Sequence, residues 1–89
     1  MTSNVIWKLL IREKVKKSLN LFPKNDQKRV LKAFFDLIHD PYLGDIVKLE
    51  SKDNLWRRRV GPYRVKFQIK NAEKIIYVYE IKRRTSSTY

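Results

Sequence analysis

Near Gly44 the spacing of apolar residues shortens from three or four to two, and this change limits the possible folds more than any other feature of the chain. Before it, Ile11, Val15, Leu19 and Phe22 recur at steps of four, four and three, which predicts a helix over Arg12–Phe22. The preceding run Val5–Ile11 is apolar and partly β-branched, and reads as a strand. Pro23 breaks the helix, and Asn25-Asp26 offers a turn and an N-cap for a second helix. That helix runs to about His39, carries Val30, Leu31, Phe34, Phe35, Leu37 and Ile38 as its apolar face, and ends at Asp40-Pro41. Two helices joined so tightly should pack as an antiparallel hairpin.

After the loop Pro41–Asp45, Ile46–Glu50 is a short strand candidate. Leu55–Val60 turns at Gly61-Pro62 into Tyr63–Lys70, and Asn71-Ala72-Glu73 turns that strand into Lys74–Ile81, giving an antiparallel meander. The expected class is α+β in the order β-α-α-β-β-β, an antiparallel sheet covered on one face by the helical hairpin. Alternation then assigns faces. Tyr63, Val65, Phe67 and Ile69 should meet the helices, with Arg64, Lys66 and Gln68 pointing away. Arg57 and Arg59 share one face, and Trp56, Arg58 and Val60 share the other. Tyr77 and Tyr79, grouped with Ile75 and Ile81, read as core, as do Tyr63, Trp7 and Trp56.

The chain of 89 residues has room for one core, so residues 1–89 are expected to form one domain, and 43% hydrophobic residues suffice for it. Having no cysteine excludes disulfides, thiolate chemistry and cysteine-held metals. With His39 the only histidine, a centre built from several histidines cannot be assembled, and no metal or cofactor is expected. His39 itself suits a helix C-terminus, where its charge meets the dipole. No apolar run reaches membrane-spanning length and the N-terminus has no charged leader-like region, so a cytoplasmic location is expected.

The formal net charge of +12 favours polyanions as partners. It is unevenly placed: residues 1–50 hold ten basic and six acidic side chains, and residues 51–89 hold eleven and three. The first half carries mainly helix-surface lysines (Lys14, Lys16, Lys17, Lys24, Lys28, Lys32), whereas most arginines lie within strand-like sequence.

The run Leu55-Trp56-Arg57-Arg58-Arg59-Val60-Gly61-Pro62-Tyr63-Arg64-Val65 resembles the central signature of the RelE/ParE toxin superfamily: an aromatic, basic-x-basic, a turn, and Tyr-Arg entering the next strand. Val47-Lys48-Leu49-Glu50 resembles the family's "K-L" segment. Ile81–Tyr89 resembles its terminal motif, in which a basic residue precedes a tyrosine by about six positions. The resemblance spans nearly the whole chain and implies the RelE-like microbial RNase fold. Carried over by position, the cleavage residues of RelE-type members fall on Arg57, Arg59, Arg64, Arg83 and Tyr89. Arg58, Lys66, Lys82 and Arg84 would contact RNA phosphates. The implied activity is a ribosome-dependent, metal-independent mRNA endoribonuclease that cuts in the A site and leaves a 2′,3′-cyclic phosphate. Its implied partners are mRNA, the ribosome with its rRNA, and a small antitoxin with an acidic segment. The alternatives are a ParE-like DNA gyrase inhibitor and a relative that only binds RNA or an antitoxin.

One departure has chemical consequences. The best-studied relatives have lysine at the basic-x-basic pair, whereas Arg57 and Arg59 are both arginine. Guanidinium groups hold two phosphate oxygens at once and suit a phosphorane-like transition state. With a pKa above about 12 they do not serve as general base near neutral pH. Tyr89 is the remaining candidate for that role, with stacking on a base as its alternative. Arg83 matches the general-acid position, where electrostatic help to the leaving oxygen is the more natural task for an arginine.

Overall fold

The computed structural model describes residues 6–83. Strand β1 (Lys8–Ile11) leads into helix α1 (Glu13–Asn20) and helix α2 (Lys24–His39). Strands β2 (Ile46–Glu50), β3 (Leu55–Val60), β4 (Tyr63–Lys70) and β5 (Ile75–Arg83) follow. The α+β class and the helical hairpin over one sheet face are as the sequence implies. The sheet itself is larger and mixed: five strands in the order β1-β5-β4-β3-β2, with β1 parallel to β5 and all other neighbours antiparallel. Alternation assigns faces, but it does not say which edge a terminal strand will join or in which direction. Here the two ends of the chain meet, as Lys8–Ile11 pairs with Ile75–Val78.

The core lies between α2 and the middle of the sheet. Val30, Ala33, Phe34 and Leu37 of α2 face Tyr63, Val65, Phe67 and Ile69 of β4 and Ile76, Val78 and Ile81 of β5, all buried. Leu31 and Phe35, expected on the buried face, are 51% and 60% exposed. They sit one residue, about 100°, past Val30 and Phe34 on the helix, so the buried stripe is narrower than the run of apolar residues. The start of α2 also differs from expectation. Pro23 occupies the N-cap and Asp26 falls in the first turn, where its charge complements the dipole. Gln27 Nε2 donates to the Phe22 carbonyl at 2.9 Å and closes the inter-helix turn instead of an Asn or Asp cap.

A second correction concerns β5. The β4–β5 register shifts between Lys66 and Phe67, which pair with Glu80 and Val78, so Tyr79 is the extra residue of a bulge. One inserted residue reverses the parity of everything beyond it. The buried positions are therefore Ile76 and Val78 before the bulge and Ile81 after it. Tyr77, opposite Gln68, lies with Tyr79 on the face away from the helices, and both are half-buried rather than core. Trp56 is half-buried too, on the helix side opposite Phe67. Its Nε1 donates to Asn54 Oδ1 at 2.8 Å, and Lys48 lies over its ring.

Candidate active site

Side chains directly opposite each other on neighbouring antiparallel strands share a face. Arg59 opposes Arg64, which opposes Lys82; one rung further along, Arg57 opposes Lys66, which opposes Glu80. These two rungs stand on the sheet face that neither helix covers, with neighbouring Cα atoms about 5 Å apart across the strands. Five cations are thus gathered on a patch three strands wide. Asp45 and Glu80 partly offset them: Arg59 Nε lies 3.6 Å from Asp45 Oδ2, and Lys66 Nζ lies 3.1 Å from Glu80 Oε2. Among the described residues neither Arg57 nor Arg64 is ion-paired.

Arg57 and Arg64 also hold donors without acceptors. The Nε of each is shielded from solvent and has no hydrogen-bond partner, which is also true of Nε and Nη1 of Arg58 on the other face. A buried donor without an acceptor costs about 1–3 kcal/mol, more when charged, and here like charges stand beside it. An oxyanion laid across the rungs would supply the acceptor and cancel the repulsion in one step. A phosphodiester has the charge and the oxygens for this.

The backbone that carries these groups is fixed from beneath. Gly61 turns β3 into β4 at φ +57°, and the Arg29 guanidinium packs against it so closely that a Cβ there would lie 2.5 Å from Nη1. Tyr63, 1% exposed, stacks on Phe22 with ring centroids 4.3 Å apart and donates its hydroxyl proton to Asp26 Oδ2 at 2.7 Å. Burial, and then the bond to Asp26, raise its pKa above the ordinary tyrosine value. Tyr63 thus anchors β4 to α2 immediately before Arg64.

Not every expected residue joins the patch. Arg58 points to the helix side, with its side chain 12% exposed, and Nη2 lies 3.6 Å from Asp36 Oδ2 on α2. Its guanidinium lies against Gly44, whose φ of +96° and lack of a side chain leave room for it. Arg58, expected to contact RNA, is thus not brought to the open face: strand alternation turns it to the helix side, where it ties β3 to α2. Arg83 opposes Tyr63, so its Cβ also leaves on the helix side, and its charge is felt at the Tyr63 hydroxyl. The structure does not bring Arg83 beside Arg57, Arg59 and Arg64. Lys66 and Lys82 do lie on the open face, whereas Arg84 and Tyr89 lie outside the described residues. Sequence reading passed over Asp45, Glu80, Tyr77 and Tyr79. Only the bulge could have revealed the tyrosines, and nothing in the local pattern of β5 marks it.

The family model of the ParE toxin of type II toxin-antitoxin systems (parDE) matches residues 7–87. No curated protein matches the chain by sequence. Among solved structures, the RelE–RelB complex from Pyrococcus horikoshii OT3 superposes with a TM-score of 0.83 at 29% identity, covering 92% of this chain and 99% of that one. The RelBE2 toxin-antitoxin complex of Mycobacterium tuberculosis gives 0.76 at 20% identity, over 90% and 100% of the two chains. The isolated RelE toxin of E. coli gives 0.77 at 14% identity, over 91% and 87%.

Proposed function

The chain belongs to the ParE toxin family of type II toxin-antitoxin systems, within the RelE/ParE superfamily, and from that premise we propose that it is a RelE-type, ribosome-dependent mRNA endoribonuclease. The carrying observation is the gathering of Arg57, Arg59, Arg64, Lys66 and Lys82 on an uncovered sheet face, with Arg57 and Arg64 outside every ion pair among the described residues. A phosphoryl-transfer site uses such a cluster as a preorganised oxyanion cradle.

In the proposed reaction the 2′-oxygen loses its proton and attacks the adjacent phosphorus. The P–O5′ bond breaks, leaving a 2′,3′-cyclic phosphate and a 5′-hydroxyl, with no metal required. Arg57, Arg59 and Arg64 hold the non-bridging oxygens as charge builds on them. Lys66, Lys82 and Arg84 hold flanking phosphates. Tyr89 is assigned the proton acceptor. Arg83, rooted on the other face, reaches the leaving oxygen only around the end of β5 and takes the smaller share. The ribosome holds the mRNA in reactive geometry, which lessens the demand on proton transfer. A small antitoxin with an acidic segment would neutralise the same face; the similar structures from P. horikoshii and M. tuberculosis are a RelE–RelB complex and a toxin-antitoxin complex.

The second reading, a DNA gyrase inhibitor acting in the cytoplasm on the same fold, is favoured by one observation: the matching family model is that of ParE. Purified protein added to mRNA-programmed ribosomes in EDTA, followed by primer extension, separates the two. A-site cuts are expected; their absence, together with gyrase-linked DNA breaks, would establish the gyrase reading instead.

A further inference from the structure

The open face carries more than charge. One rung beyond Arg57, Lys66 and Glu80 stands Tyr77, opposite Gln68, with Tyr79 set in the bulge between them. The two rings lie 6.4 Å apart between centroids, inclined by 32°. Both are half-buried and pair on the side away from the core, and Tyr79 also borders a cavity lined by Arg12, Lys14, Val15 and Ser18. Two residues along a strand is roughly 7 Å, which is the scale of a single nucleotide from its phosphate to its base.

We propose that Tyr77 and Tyr79 form a stacking platform for a nucleobase of the single-stranded RNA whose phosphate lies across Arg57 and Arg64. This inference rests on the RNA-cleavage reading and adds to it the subsite for a base beside the cleaved bond. Three observations converge on it. The bulge, which turns Tyr79 out of the core, places it beside the Lys66–Glu80 pair on the rung that also holds Arg57. Cations and aromatic rings then follow each other along one direction of the sheet, as phosphates and bases do along the width of an RNA strand. Burial raises the Tyr79 pKa despite the opposing charge of Lys66, so the ring stays neutral and keeps its hydroxyl proton as a donor for a base edge. Every base has a π-face, so such a platform binds with little sequence preference of its own.

The test uses anisotropy of a labelled short single-stranded RNA at fixed ionic strength, intact or with one abasic nucleotide placed at each position in turn. Tyr79→Ala and Tyr77→Ala should each bind the intact RNA about tenfold more weakly, the range expected for one stacked base. Tyr79→Phe, which keeps the ring, should retain most of the affinity. One abasic position should cost the unaltered protein a similar factor and cost Tyr79→Ala nothing further. If the abasic penalty is the same in both proteins, or both alanine variants bind as tightly as the unaltered chain, the platform is overturned while the nuclease reading stands. If Arg64→Ala binds as tightly as the unaltered protein, the RNA does not lie on this face, and both proposals fail together. Where an alanine variant fails to fold, the leucine variant at the same position, which keeps bulk and removes the aromatic face, takes its place in the same comparison.

Discussion

Arg57 and Arg58 are neighbours in sequence, identical in chemistry, and opposite in circumstance. Arg58 projects toward α2, meets the Asp36 carboxylate at 3.6 Å and packs against Gly44, so its charge is compensated and spent on holding two layers together. Arg57 projects the other way, among Arg59, Arg64 and Lys66, with no ion-pair partner among the described residues. The first arrangement lowers the energy of the folded chain and the second raises it. A strand tolerates the second when something outside the chain completes it, which is why frustrated charge marks function better than charge alone.

The contrast can be broken or sharpened by substitution. The largest effect is expected on the open face. Arg57→Ala or Arg64→Ala should lower the cleavage rate on ribosomes by about 100-fold or more, the scale of removing one transition-state donor. Thermal unfolding should show these same variants to be as stable as the unaltered chain or more so, since a like-charge contact is relieved. Arg58→Ala should do the reverse: a loss of roughly 2–3 kcal/mol in urea unfolding, below the figure for a fully buried pair because Asp36 is partly exposed. Cleavage per folded molecule should change little.

Smaller effects are expected from the anchors under the site. Gly61→Ala puts a side chain into a left-handed conformation and against Arg29, and should cost about 1–2 kcal/mol in unfolding, with a lower cleavage rate as Arg59 and Arg64 shift. Tyr63→Phe removes the bond to Asp26 and should cost about 1 kcal/mol at neutral pH. The sign of its pH dependence follows from the raised Tyr63 pKa. The unfolded chain loses this proton first, near the ordinary tyrosine value of about 10, so folding becomes less favourable as pH rises above that. The stability gap between the unaltered chain and Tyr63→Phe should therefore narrow at alkaline pH, as read from paired melting curves. A gap that stays constant or widens would show that the hydroxyl is not held as described.

Much of this contrast is legible in the sequence, because a period of two in β3 and β4 fixes which side chains share a face. Leu55–Val60 and Tyr63–Lys70 are read with the bounds they have in the structure, and Arg57, Arg59 and Arg64 fall together on that basis alone. The same rule, applied without the family motif, separates Arg58 from its neighbours. Grouping Arg58 with the RNA contacts gave charge precedence over parity. Where legibility failed, the cause was an event that periodicity does not encode. A single inserted residue in β5 moved Tyr77 and Tyr79 from the expected core to the open face. The pairing of β1 with β5 depends on contacts between the two ends of the chain, which no local window contains. The helix-side position of Arg83 follows from its pairing with Tyr63, again a matter of register rather than composition.

The most direct test of the division between the two faces is a single-turnover comparison of Arg57→Ala with Arg58→Met on mRNA-programmed ribosomes. Methionine keeps the bulk of Arg58 while removing the charge, and the Asp36 carboxylate left behind is partly exposed and still 3.7 Å from Lys32 Nζ. The account predicts a fall of about 100-fold or more for Arg57→Ala and a rate within a few-fold of the unaltered chain for Arg58→Met. Equal losses in the two variants, or the larger loss in Arg58→Met, would contradict it.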